Sequence, residues 1–150
     1  MNEIKKELYR QCINYVQKRL DSITHAINAA QQAANEDTKS SAGDKYETGR
    51  AMMQQETDRN RVQLNEANKL MVTLNRISSN TKSKTAEAGS LVITNNGNFY
   101  IAISAGTLTV NGQSFFAVSP ASPIGVKLKG QKNGAEFKLN DKSYRIEEVI

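Results

Sequence analysis

The stretch Ile13-Asn14-Tyr15-Val16-Gln17-Lys18-Arg19-Leu20-Asp21-Ser22-Ile23-Thr24-His25-Ala26-Ile27 decides the fold. Ile13, Val16, Leu20, Ile23, Ile27, Ala30 and Ala34 step by alternating threes and fours, the seam of a heptad repeat. Tyr9 extends it one step toward the N-terminus, and no Pro or Gly precedes Gly43 to interrupt the helix. Further along, the same rhythm resumes at Tyr46, Met53, Leu64, Ala67, Met71 and Leu74, with Arg50, Thr57 and Asn60 on the intervening seam positions. A fold-back near position 40 sets Ile27 opposite Met53, Val16 opposite Leu64 and Ile13 opposite Ala67, the register of an antiparallel helical hairpin. At about 1.5 Å per residue each helix would be roughly 50 Å long. The narrow seam on an otherwise polar surface favours a coiled coil over a helix pair in a compact bundle.

The fold-back itself is acidic. Glu36, Asp37, Asp44 and Glu47 cluster at 36–47, and Ser41 followed by Asp44 resembles a capping box, so the second helix is expected to begin near Ala42. Carboxylates at a helix start favour the helix dipole, so the cluster reads first as solvated surface. Its functional reading is delivery of oxygen ligands to a metal ion inside another molecule's channel.

Past the hairpin the period changes. Residues 78–88 are polar and aperiodic, a linker. Beyond them Leu91-Val92-Ile93 and Phe99-Tyr100-Ile101-Ala102-Ile103 flank Asn96-Gly97, a hairpin signal. Thr107–Val110 and Phe115–Val118 flank Asn111-Gly112, and Phe137–Leu139 and Tyr144–Ile146 flank Asn140-Asp141. Ser122-Pro123 reads as an N-cap with proline at the first helical position, opening a short helix that ends near Gly130. The fold class is therefore α+β: a helical hairpin followed by a small antiparallel sheet carrying one short helix. The domains are a hairpin at 1–77, a linker at 78–88 and a sheet domain at 89–150.

Composition excludes several classes of function. The 150 residues include one Cys (Cys12) and one His (His25), too few for an internal disulfide or a four-ligand zinc site. Residues 1–80 carry 12 basic and 10 acidic groups and residues 81–150 carry 8 and 5, so the net charge of +5 is spread without the basic stripe of a dedicated DNA binder. No apolar run approaches a membrane span and the charged opening predicts no signal peptide, so a soluble, reduced, cytoplasmic protein is expected. Cys12 and His25 stand 13 residues apart on one expected helix, roughly 20 Å, and cannot share a proton. Cys12 reads as a packing residue and His25 as a solvated one. Gly125-Val126-Lys127-Leu128-Lys129-Gly130-Gln131-Lys132 resembles a phosphate loop but has Gln131 in the lysine position, and it reads as an amphipathic helix with a glycine stop. Tyr100, Phe115, Phe116, Phe137 and Tyr144 read as core.

The stretch from Ser119-Pro120-Ala121-Ser122-Pro123-Ile124-Gly125 through Leu128, Gly130-Gln131-Lys132 and Gly134-Ala135-Glu136-Phe137 resembles the C-terminal signature of the Gre transcription elongation and transcript-cleavage factors. Tyr144–Ile150 is similar to that family's last strand, and Gly89-Ser90-Leu91-Val92-Ile93 to the opening of the same domain. The resemblance implies a coiled coil joined to an FKBP-like domain. It implies a factor that binds bacterial RNA polymerase, with Ser122, Pro123, Ile124 and Gly125 in the docking region. The coiled coil would enter the secondary channel and stimulate the enzyme's own cleavage of backtracked transcripts. Asp37 and Asp44, backed by Glu47 and Glu36, would direct Mg²⁺ in the polymerase active site, so the factor has no cofactor of its own and is not itself an enzyme. RNA polymerase is the implied partner, with indirect contact to nascent RNA, no membrane and a monomeric state. Within the tip, Ser40-Ser41 stands where the family pattern has Glu-Asn. Two other functions are a secondary-channel regulator without cleavage activity and an FKBP-like prolyl isomerase or chaperone. The lack of any Trp to floor an isomerase pocket speaks against the last.

Overall fold

A computed structural model describes residues 2–37, 43–77 and 83–150; the side chains of Asn2, Ala34, Asp37 and residues 43–50 lie outside that description. The architecture is α+β. Helices α1 (Asn2–Asp37) and α2 (Gly43–Arg76) precede strands β1 (Leu91–Thr94), β2 (Gly97–Ile101), β3 (Gly106–Val110) and β4 (Gln113–Val118). A short helix α3 (Pro123–Leu128) leads into β5 (Glu136–Leu139) and β6 (Lys142–Val149). The chain forms two compact units: one is residues 16–70, and the other joins residues 1–15 to residues 71–150.

In the first unit the heptad pattern is visible as burial. Val16, Ile23 and Ala30 of α1 are buried, with Leu20 and Ile27 half-buried between them. On α2, Asn60 and Ala67 are buried and Met53, Thr57 and Leu64 half-buried. The seam therefore includes the polar positions: Asn60 is about nine-tenths buried, and its Nδ2 makes no hydrogen bond among the described residues. A polar residue at one seam position costs stability and specifies register, because any other alignment leaves it against a different apolar neighbour. The expected capping residue Ser41 lies outside the described residues, and His25 is exposed.

In the second unit the helix ends share the sheet's core. Lys5, Leu8, Cys12, Leu74 and Ile77 are buried, and the Tyr9 hydroxyl donates to the Leu74 carbonyl oxygen at 2.9 Å. That bond ties the start of α1 to the end of α2, at a carbonyl that also accepts the Ile77 N–H at 3.0 Å. The stripe here departs from the simple seam. Tyr9 and Ile13 are only half-buried, while Leu8, Cys12 and the charged Lys5 are inside.

The sheet has six strands in the order β3-β4-β2-β1-β6-β5. Four pairings are antiparallel as expected; the fifth, β2 with β4, is parallel (Phe99 beside Phe116, Tyr100 beside Ala117). Turn chemistry sets hairpins locally, but which strands of two hairpins meet is a long-range choice that local residues do not encode. Asn111 (φ 52°) and Gly112 (φ 79°) form the β3–β4 turn, and Asn140 (φ 51°) and Asp141 (φ 64°) the β5–β6 turn, both with the paired positive φ of a type I′ loop. The β1–β2 turn falls one residue earlier than the Asn96-Gly97 signal, because Thr94 pairs with Gly97. The Thr94 hydroxyl donates to the Gly97 carbonyl at 2.6 Å and accepts from the Asn96 N–H at 3.1 Å.

One face of the sheet carries Val92, Phe99, Ile101 and Ile146, packed with Leu128 of α3 and with Ala86. Ala86 lies inside the stretch read as linker, yet its N–H donates to the Gln131 carbonyl (2.8 Å) and its carbonyl accepts from the Gly130 N–H (2.7 Å). Strand alternation turns Leu91, Tyr100, Leu108, Val110, Phe115 and Ala117 to the opposite face, and all are buried. The first turns of α1 cover this side: the Gln11 amide donates to the Thr109 carbonyl at 3.0 Å, and Cys12 and Tyr9 are near enough to act electrostatically on the Tyr100 phenol. Burial pushes the Cys12 thiol up to about 11 and raises the Tyr100 phenol further, so neither ionises at neutral pH. The Tyr100 hydroxyl makes no hydrogen bond among the described residues.

Leaving a buried polar atom unpaired costs about 1–3 kcal/mol. Tyr100→Phe and Asn60→Leu are therefore each expected to raise the midpoint of thermal unfolding followed by circular dichroism. A lower midpoint in either variant would show that its polar atom is satisfied in the native protein.

Candidate functional site

Two places carry the site residues read from the sequence. At the first, Glu36 is exposed near the end of α1, Asp37 is its last residue, and Asp44 and Glu47 stand in the opening turns of α2. The residues joining them, 38–42, and the side chains of Asp37, Asp44 and Glu47 lie outside the description, as do Ser40 and Ser41. Among the described residues no cluster of three His, Cys, Asp or Glu side chains could hold a metal ion. The donor chemistry of the four carboxylates nevertheless suits a hard divalent cation: all are oxygen donors, on chain ends separated by only five residues. Bound there, Mg²⁺ would supply Lewis acidity toward a water or phosphate oxygen.

The second place is α3 and its approach, where the geometry is fully described. Ser122 is the N-cap, with extended backbone (φ −67°, ψ 159°). Its hydroxyl accepts from the Gly125 N–H at 3.1 Å and donates to the Ser119 carbonyl at 2.6 Å, so it is engaged twice within its own turn. Pro123 occupies the first helical position, where its missing N–H costs nothing. Ile124 packs against the core cluster and Gly125 is buried. A Cβ on Gly125 would collide with the Ser119 carbonyl oxygen and crowd the Ser122 hydroxyl and the Pro120 backbone, so only glycine permits this closeness. The helix ends at Lys129, whose N–H returns to the Gly125 carbonyl (2.9 Å), and Gly130 follows at φ 81°.

The motif thus divides by direction. Ser122, Ile124, Gly125 and Leu128 face inward or bond internally, whereas Pro123, Val126, Lys127 and Lys129 are exposed. Val126 is 62% exposed, although it stands in the middle of the helix. The sequence holds the signal for that outward residue: Pro123, Val126 and Lys127 follow i, i+3, i+4 spacing, offset from the inward pair Ile124 and Leu128.

Other concave or apolar places are less constructed. A groove of about 380 Å³ lies between the β1–β2 turn and the β5–β6 hairpin, with Asn95, Lys138 and Arg145 on its walls. Another of about 520 Å³, beside Glu3, Glu7 and Asn111, lies between α1 and the β3–β4 turn. Phe116 is 41% exposed, and its ring lies over Gly97, where a Cβ would come within 3.3 Å of it; it shields a glycine in the strand. Phe99 lies 5.6 Å from Phe116 between ring centroids, and Tyr144 and Phe137, both half-buried, stack at 5.1 Å; Phe116, expected in the core, is at the surface instead. Tyr100 and Phe115 are core, as read. No helix among the described residues is long and apolar enough to cross a membrane. Comparison with family models, curated proteins and solved structures gives no match to this chain.

If Gly125 is held by close backbone approach, Gly125→Ala is expected to destabilise the protein by roughly 1–3 kcal/mol, the usual cost of forced overpacking. Ser122→Ala should cost about 1 kcal/mol as a lost N-cap. Urea unfolding measures both. A Gly125→Ala variant as stable as the parent would mean that the glycine serves a contact outside this chain.

Proposed function

We propose that the chain is a Gre-type factor of bacterial RNA polymerase, acting in the cytoplasm. It would insert a coiled coil formed by α1 and α2 into the secondary channel and stimulate cleavage of backtracked transcripts. The observation that carries this reading is the combination of two long helices, a connection of only five residues flanked in sequence by four carboxylates, and a sheet domain bearing the Ser122-Pro123-Ile124-Gly125 turn. The sheet domain is taken as FKBP-like on the strength of the sequence signature.

On this reading the chain contributes carboxylate oxygens and position, and the polymerase contributes the reaction. Asp37 and Asp44 are assigned to directing Mg²⁺, with Glu36 and Glu47 adding negative charge nearby. The cation, when bound, lowers the pKa of a coordinated water. Delivering ligands from the end of a helix pair needs no pocket in the factor itself, and the buried Cys12 and exposed His25 take no part.

A second reading, a channel regulator without cleavage activity, is favoured by one feature: Ser40-Ser41 replaces two residues of the tip pattern, one of them a carboxylate. The two readings separate in one assay, transcript cleavage by a stalled, backtracked elongation complex. The cleavage reading predicts acceleration that falls by about 100-fold in the Asp37→Ala/Asp44→Ala variant, since metal-assisted stabilisation is worth several kcal/mol. Binding without acceleration supports the regulator, and absence of binding to the core enzyme ends both.

A further inference from the structure

We infer that the free edge of β5 pairs antiparallel with the β5 edge of a second copy of this chain, giving a two-fold dimer that forms at high protein concentration. The inference is independent of the polymerase reading and uses only the sheet.

The two edges of the sheet differ. β3 closes one side, and its Thr109 carbonyl already accepts the Gln11 amide of α1 at 3.0 Å. β5 closes the other side. The Ala135 carbonyl accepts the Ile146 N–H at 2.9 Å, so strand alternation turns the backbone groups of Ala135, Phe137 and Leu139 toward β6. Those of Glu136 and Lys138 are turned away from it. Among the described residues these outward groups have no backbone partner, and both side chains are exposed. Such a row of unpaired backbone groups is a template for another strand.

The edge is complementary to itself, which is what a two-fold contact requires. Antiparallel pairing centred on Phe137 sets Glu136 opposite Lys138 of the second copy, and Lys138 opposite its Glu136. Both pairs are of opposite charge, and both consist of outward-turned residues, so each exchanges its N–H and C=O bonds across the contact. On the other face Phe137 meets its own copy and Ala135 meets Leu139, all three half-buried in the single chain. Sliding the pairing by two residues sets Glu136 against Glu136 in one direction and Lys138 against Lys138 in the other, and like charges directly opposite are unfavourable. A slide of one residue turns outward backbone groups against inward ones. Charge and backbone direction therefore select one register. Because each copy uses the same edge, the pairing closes at two. A strand of four residues makes a small contact, of the weak and transient class.

Sedimentation velocity of the full chain is expected to show monomer at low concentration and dimer toward about 1 mM, where a weak contact is populated. Glu136→Lys and Lys138→Glu each place like charges opposite one another at both pairs. Each is expected to weaken dimerisation by about tenfold or more, whereas an equimolar mixture of the two variants restores it. Both positions are exposed, and unfolding midpoints equal to the parent's verify the fold. A parent that stays monomeric throughout, single variants that dimerise like the parent, or a mixture that dimerises no better than either variant alone would each overturn the pairing.

Discussion

Burial of Tyr100 on the sheet face covered by the first turns of α1 is the constraint on which the second unit depends. The side chain is completely enclosed. Fully burying a side chain of this class contributes about 1.5–3 kcal/mol or more. Without it, Leu91, Leu108, Val110, Phe115 and Ala117 would form an apolar sheet face open to water. The other face already has α3 and Ala86 over it. The helix ends therefore complete the sheet's core as well as pairing with each other through the Tyr9–Leu74 hydrogen bond.

That double duty accounts for where the sequence was legible and where it was not. From Val16 to Ala30 the helix needs one buried stripe, and the three-four spacing names its residues correctly. Below Val16 the helix meets a second surface, so the buried set widens to Lys5, Leu8 and Cys12, and the single-seam reading misplaces Tyr9 and Ile13. Hairpins and the α3 cap were legible because turn and cap residues act within a few positions of themselves. The parallel β2–β4 pairing and the capture of Ala86 were not, since both are contacts between segments whose local sequence is indifferent to the outcome.

The turn at 122–125 illustrates a different limit. Ser122-Pro123-Ile124-Gly125 is recognisable as a string, yet three of its four residues are occupied in building the turn. The residues turned outward, Val126 and the lysines, are ordinary in type and stand just beyond it. A recognisable string can thus mark the residues that hold a helix in place. The acidic stretch differs again: four carboxylates at 36–47 are legible in the sequence, while the side chains of Asp37, Asp44 and Glu47 lie outside the described residues.

Native-state hydrogen exchange tests most directly the claim that the helix ends and the sheet form one unit. Amides of Leu8–Ile13 and of Leu91, Tyr100 and Ile101 are expected to exchange only through a common opening, with equal free energies and equal response to denaturant. Tyr100→Ala should lower both sets together. Exchange from Leu8–Ile13 at a markedly lower free energy than from the strands, unaffected by Tyr100→Ala, would contradict the account.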